Sequence, residues 1–204
     1  MTKTPPPTAL FPALQFDIVT IAASAGGIKT LGDLLPQLPD NFAAALIIVM
    51  HLDPHTASLL PQVLARMTSL TVKDAETGEL LQAGTIYTAP PDHHLLVARD
   101  RRLQLTQTKK VNFARPSADC TLISVAECFG PRAIAVVLTG YGSDGALGIK
   151  AIKQHGGRVI VQDPATATVA SMPRTAIETG QVDWVLPVDQ IPPTLVKLIQ
   201  QNGD

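Results

Sequence analysis

The sequence predicts an α/β fold: a doubly wound, mostly parallel sheet with helices on both faces and an antiparallel hairpin at one edge. Three observations predict it. Apolar, partly β-branched runs of strand length alternate with stretches whose apolar residues recur at helical spacing. The runs close on small or turn-forming residues, which marks the strand ends as loops. One segment, residues 85–106, breaks this rhythm with three shorter β-rich runs, the last two separated only by Asp100-Arg101.

Each element follows from its residues. Residues 1–15 are rich in Pro and Thr without a sustained period and are expected to form a flexible tail, leaving 16–204 as the folded domain. A first strand from Ile18 runs into Ser24-Ala-Gly26-Gly27, and Ile28, Leu31, Leu34 and Leu35 then mark a helix stopped by Pro36. Residues 42–50 form a second buried strand ending at His51, followed by a loop over 51–58. Leu59, Leu60, Val63, Leu64 and Met67 mark a helix, with Pro61 tolerated in its first turn. A short strand over 70–73 leads to the turn Thr77-Gly78. After the β-rich insertion, Arg115-Pro-Ser-Ala-Asp119 caps a helix carrying Leu122, Val125, Ala126 and Phe129, closed by Gly130-Pro131. The strand 133–138 enters Thr139-Gly140-Tyr141-Gly142-Ser143-Asp144-Gly145, and the helix from Ala146 ends at Gly156-Gly157. Strands at 159–161 and 184–188 flank a short helix over 173–179, and a helix carrying Leu195, Val196, Leu198 and Ile199 closes the chain.

Composition narrows the function. Of 204 residues, 46% are apolar and 16% charged, which suits a compact domain with long buried strands. A net charge of −1 gives no electrostatic footprint for nucleic acid or an anionic membrane. No apolar run approaches the roughly 20 residues a membrane helix needs. The N-terminus lacks the apolar core of a signal peptide, and Cys120 and Cys128 are expected to be reduced thiols of a cytoplasmic protein.

The Ser24 turn allows three readings: a phosphate cradle on the helix amides, a serine nucleophile with the same amides facing an oxyanion, or an N-cap. Ser24, His51 and Asp144 each fall just beyond the C-terminal end of a predicted strand, where ligands bind in open α/β sheets. They supply a nucleophile, a base and an orienting carboxylate in the order Ser, His, Asp. A rival reading uses Gly140-Tyr-Gly142-Ser-Asp-Gly145, which fits G-x-G-x-x-G, with Asp163 placed as a ribose-binding acid. Its weakness is Asp144, a carboxylate in the loop that would face a pyrophosphate. His93-His94 lacks metal-ligand spacing. Cys120 sits among apolar helix neighbours, unlike an activated thiol. Arg99, Arg101, Arg102, Lys109, Lys110 and Arg115 gather positive charge in and after the hairpin, either as a solvated tip or as a docking patch for an acidic partner.

Six motifs in order resemble the catalytic domain of the chemotaxis protein-glutamate methylesterases (CheB). They are Ala23-Ser24-Ala-Gly-Gly27, Val49-Met-His51, Pro91-Asp-His-His-Leu95, Arg115-Pro-Ser-Ala-Asp119, Leu138-Thr-Gly-Tyr-Gly-Ser-Asp144-Gly145 and Met172-Pro-Arg-Thr-Ala176. The resemblance implies Ser24 as nucleophile, His51 as general base and Asp144 as its orienting acid. It implies hydrolysis of glutamyl methyl esters on the cytoplasmic helices of chemoreceptors, with glutamine deamidation as a second activity, and no cofactor or metal. The backbone of Ala25, Gly26, Gly27, Tyr141 and Gly142 is expected around the oxyanion, with Arg115 and Met172 as substrate contacts. Family members often carry Thr where Ala25 stands and Met where Tyr141 stands, so a catalytically degenerate interaction domain is the alternative within the family. The family usually has a receiver domain ahead of the catalytic one. Only a short tail precedes the match here, which implies a separate response regulator as partner.

Overall fold

The computed structural model describes residues 16–51 and 58–200. The expected 1–15 tail and most of the 51–58 loop therefore lie outside the described residues. Seven strands form one parallel sheet: β1 (Ile18–Ala23), β2 (Ala45–Met50), β3 (Thr71–Asp74), β4 (Thr85–Thr88), β7 (Ala133–Val137), β8 (Arg158–Gln162) and β9 (Trp184–Leu186), in the order β3-β4-β2-β1-β7-β8-β9. The remaining two, β5 (His94–Val97) and β6 (Leu103–Thr106), pair antiparallel as a separate sheet.

The doubly wound fold holds, with two differences of detail. Residues 85–88 read as part of the antiparallel insertion, yet β4 runs parallel between β3 and β2. A short apolar run fits either pairing, and only its neighbours decide. The hairpin does not extend the sheet edge. Its Leu95, Val97 and Leu103 pack instead into the core on one face.

The central strands β1, β2 and β7 are buried along their whole length, as parallel strands covered on both faces must be. Alternation divides their side chains between two cores. Ile18 and Ala22 face α3 (Ala118–Phe129), α4 (Ala146–Gln154) and α5 (Ser171–Glu178), whereas Val19, Ile21 and Ala23 face α1 (Gly27–Leu34), α2 (Leu60–Leu64) and α6 (Ile191–Gln200). At eight residues α1 is too short to hold itself together in water, and burial of Leu31 and Leu34 stabilises it. The predicted helix over 59–67 stops at Leu64 and the predicted strand over 42–50 starts at Ala45. In both cases the extra apolar residues, Met67 and Phe42, pack against the core from turns.

β1 pairs with β2 on one side and β7 on the other, so the chain's direction of travel across the sheet reverses there. Such a switch point opens a crevice beyond the C-terminal strand ends. Ser24, His51 and Asp144 follow β1, β2 and β7 respectively.

Candidate active site

Ser24 stands one residue past β1. Its backbone N–H donates to the carbonyl of Thr139 (3.0 Å), and its own carbonyl accepts from the N–H of Gly27 (2.8 Å), which closes the turn. Gly26 has φ 80°, and a Cβ there would lie 2.7 Å from the Thr168 side chain, so this corner admits glycine alone. Gly140 has a different reason: a Cβ would fall 2.7 Å from the Ser24 Cβ and would collide with the Met172 sulfur. The serine and Met172 thus meet across a bare backbone.

The His51 ring bridges the other two residues. Nδ1 faces Ser24 Oγ at 3.2 Å and Nε2 faces Asp144 Oδ2 at 2.7 Å. Asp144 accepts only, so Nε2 carries the proton and donates it to the carboxylate. Nδ1 is then left as the acceptor for the serine hydroxyl. The imidazole therefore presents its Nδ1, rather than Nε2, to the hydroxyl. The His51 side chain is 24% exposed and that of Asp144 3%, so the pair is open to substrate at one end only.

The Asp144 carboxylate takes three further hydrogen bonds, all from the start of α3: Ser117 Oγ (2.7 Å), the Ala118 N–H (2.7 Å) and the Asp119 N–H (3.0 Å). Reciprocally, Asp119 Oδ1 accepts from the N–H groups of Gly145 (2.9 Å) and Gly148 (2.8 Å) at the start of α4. Each helix N-terminus is capped by an aspartate from the start of the other: Asp144, just before α4, caps α3, and Asp119, in the first turn of α3, caps α4. The sequence reading of Arg115–Asp119 as a cap for its own helix needs correction, because Ser117 and Asp119 make no side-chain cap to α3. The physical reason is proximity. With no side chain, Gly148 lets α3 and α4 approach until Leu122 nearly touches the backbone, and the partner helix offers the nearer amides.

These bonds separate the two carboxyls in acidity. Burial raises the Asp144 carboxyl, but the donors from His51, Ser117, Asp119 and Ala118 outweigh it and hold the group below its ordinary value. Burial raises Asp119 above its ordinary value against the pull of the Gly148 amide, and the Asp144 charge raises it further. Asp144 is thereby kept as the anion that an imidazolium beside it needs.

Among the backbone groups expected around the oxyanion, two are already engaged. The Gly27 N–H closes the Ser24 turn, and the Gly142 N–H donates to Ser171 Oγ at 3.2 Å. Among the described residues, the N–H groups of Ala25, Gly26 and Tyr141 carry no intramolecular hydrogen bond. Of the two expected substrate contacts, Met172 lies beneath the serine and Arg115 lines the crevice beside His51 and Asp144. Met172 is 2% exposed, packed against Gly140 beneath the serine. Arg115 spends its guanidinium on Asp92 and on the carbonyls of Gln107 and Thr108. The basic group splits as well. Arg101 and Arg132 pair with Asp17 at the N-terminal end of the sheet, away from the crevice, whereas Lys110 lines it.

The glycine loop is no phosphate cradle. The N–H groups of Gly140, Gly142 and Gly145 donate to Val169 O, Ser171 Oγ and Asp119 respectively, and no glycine amide of the loop is left to meet a pyrophosphate. The two cysteines are partly buried, and burial pushes both thiols up, away from nucleophilic character. His94 is buried between the Ser117 N–H and the Lys109 carbonyl. Among the described residues, no group of three or more His, Cys, Asp or Glu side chains converges as a metal site.

A hydrolase geometry on this topology has known counterparts. The CheB methylesterase family model matches residues 19–195. This chain belongs to the CheB methylesterase family. A putative protein-glutamate methylesterase/protein-glutamine glutaminase of Leptospira interrogans is 38% identical over 93% of this chain and 98% of its own length. The protein-glutamate methylesterase FrzG of Myxococcus xanthus is 40% identical over 96% of this chain and 59% of its own length. A methylesterase/glutaminase of Pyrococcus horikoshii is 40% identical, and the match takes up only 50% of that protein. The CheB methylesterase catalytic domain of Thermotoga maritima superposes with a TM-score of 0.86 at 40% identity, covering 90% of this chain and 99% of that one. The residues that sequence reasoning missed are Ser117 and Asp119, which hold Asp144, and Thr139. The Thr139 hydroxyl donates to the Ala25 carbonyl (2.9 Å) and accepts the Val169 N–H (2.9 Å), tying the Ser24 turn to a neighbouring loop. Nothing in their local spacing separates them from ordinary caps and strand-end threonines.

Proposed function

We propose that this protein is a protein-glutamate methylesterase whose nucleophile is Ser24, with His51 as general base and Asp144 as the orienting acid. The observation that carries the reading is the continuous hydrogen-bond line from Ser24 Oγ through His51 to Asp144, at 3.2 and 2.7 Å. Ser24 Oγ attacks the ester carbonyl of a glutamate side chain as its proton passes to His51 Nδ1. The imidazolium is stabilised by the Asp144 carboxylate on its other nitrogen. The oxyanion forms beside the unengaged amides of Ala25, Gly26 and Tyr141. Collapse expels methoxide, which takes the proton from Nδ1 and leaves as methanol, with the glutamyl group esterified to Ser24. A water then attacks, His51 again takes its proton, and glutamate departs as the carboxylic acid with Ser24 restored. An amide nitrogen as leaving group needs the same proton, which extends the mechanism to glutamine deamidation. The substrates are chemoreceptor proteins, and the enzyme works in the cytoplasm. Among the described residues no helix is long and apolar enough to cross a membrane.

The test is release of volatile methanol from receptor cytoplasmic fragments carrying radiolabelled methyl esters. Ser24→Ala or His51→Ala is expected to lower turnover by about 10⁴-fold or more, with the double variant scarcely worse. Equal turnover by wild type and Ser24→Ala would remove Ser24 as nucleophile.

A further inference from the structure

A cavity of about 480 Å³ opens beside Asp144, lined by His51, by Lys110 and residues 112–116, and by residues 141–144. The two most exposed large apolar side chains among the described residues both line it: Phe113 at 97% and Tyr141 at 70%. Phe113 sits on an unusual backbone. Asn112 (φ 49°) and Phe113 (φ 62°) are consecutive left-handed residues, and Val111 and Ala114 close the turn with both N–H···O bonds, at 3.1 and 2.9 Å. A two-residue turn with both φ values positive favours Asn-Gly, so Asn112 suits its place and a bulky ring at the next position is strained. The strain is held from both sides. Asn112 Nδ2 donates to Asp119 Oδ2 (3.2 Å), and Arg115 clamps the turn's far side to Asp92 and two carbonyls. A fully exposed aromatic ring on a strained but anchored turn is costly for the folded chain alone, and strain of this kind clusters at ligand clamps. Lys110 lines the same cavity and makes no ion pair within 4 Å among the described residues.

We propose that the Asn112-Phe113 turn is a specificity element for the protein substrate. Phe113, with Tyr141, packs on an apolar residue beside the target glutamate, and Lys110 pairs with a carboxylate in the same acidic segment. The proposal rests on the methylesterase reading and adds to it the chemistry of the sequence around the ester. Apolar rings flanked by an exposed cation suit an acidic segment with an apolar face.

The experiment compares two substrates. Methylated receptor fragments need the recognition surface. p-Nitrophenyl acetate needs only the triad. The variants are Phe113→Ala, Phe113→Gly and Lys110→Glu. Each is expected to raise KM for the receptor fragments by about tenfold while leaving p-nitrophenyl acetate turnover within about twofold of wild type. Phe113→Gly relieves the left-handed backbone and should unfold no more readily than wild type, so loss of folding cannot account for its KM. The Lys110→Glu effect should shrink as salt is raised. Unchanged KM in both Phe113 variants overturns the proposal, as does a loss of p-nitrophenyl acetate turnover of about tenfold, which would mean the turn acts on the triad instead. Wild type that cleaves p-nitrophenyl acetate but no receptor ester overturns the methylesterase reading and this proposal with it.

Discussion

Asp144 is the residue whose surroundings decide most. Four donors converge on one carboxylate and hold its pKa below the ordinary value, against the pull of burial. A group depressed in the folded state adds stability that is fully present above its unfolded pKa, about 3.9, and is lost as pH falls through the folded value. Asp144→Asn should therefore unfold at lower urea than wild type at pH 7, by about 1–3 kcal/mol for donors left short of an anion. The gap should stay constant down to about pH 5 and narrow below about pH 4. A gap that widens on acidification would mean that Asp144 is not held as an anion. The same variant should cost activity heavily, since an amide cannot stabilise the imidazolium on Nε2.

At the scale of elements, α3 and α4 act as one unit because each caps the other and Gly148 lets them touch. A Cβ on Gly148 would lie 2.5 Å from the Leu122 Cβ. Gly148→Ala should thus force the helices apart at a cost of about 1–3 kcal/mol. Because the α3 N-terminus holds Asp144, turnover should fall too, at temperatures where the variant is fully folded. Leu195→Ala, in the core on the other face, should destabilise by about 2–5 kcal/mol and leave kcat within about twofold. Thermal melts and kcat measured side by side check the pair, and equal kcat losses in both would mean the α3–α4 contact has no special claim on the site. This coupling was hidden from the sequence. Ser117 and Asp119 carry the residue types of a self-contained cap, and only the tertiary approach redirects them. By contrast, the Ser24 turn was legible because a buried β run, two glycines and a helical period adjoin in eleven residues. His51 was legible for the same reason, as the polar residue that ends an apolar run. The place of β4 was not, since four buried residues fit a parallel or an antiparallel neighbour equally well.

Across the whole molecule the chemistry and a second charge cluster occupy opposite ends of the sheet. Asp17, just before β1, is fully buried, and both of its oxygens lack a hydrogen bond despite the nearby Arg132 and Arg101. Burial raises its carboxyl above the ordinary value, and the two arginines offset only part of that. A raised carboxyl contributes stability present below the unfolded pKa and lost as pH rises through the folded one. Wild-type stability relative to Asp17→Asn should therefore decline as pH rises through the carboxylate range, the reverse of the Asp144 trend. Receptor demethylation by Asp17→Asn should stay within about twofold of wild type, and a larger loss would show that the far end does reach the site.

The order of strands has a further consequence. Ser24 and His51 follow β1 and β2, Asp144 follows β7, and the turn Asp100-Arg101 of the hairpin lies between these two parts of the chain. A break at that turn, distant from the crevice, divides the protein into one piece holding Ser24 and His51, the proposed nucleophile and base, and another holding Asp144, the proposed acid. Neither piece owns a complete site. If the Ser24–His51–Asp144 triad acts as proposed, ester cleavage by the two pieces together would report, with no added label, that β1 and β7 had found each other.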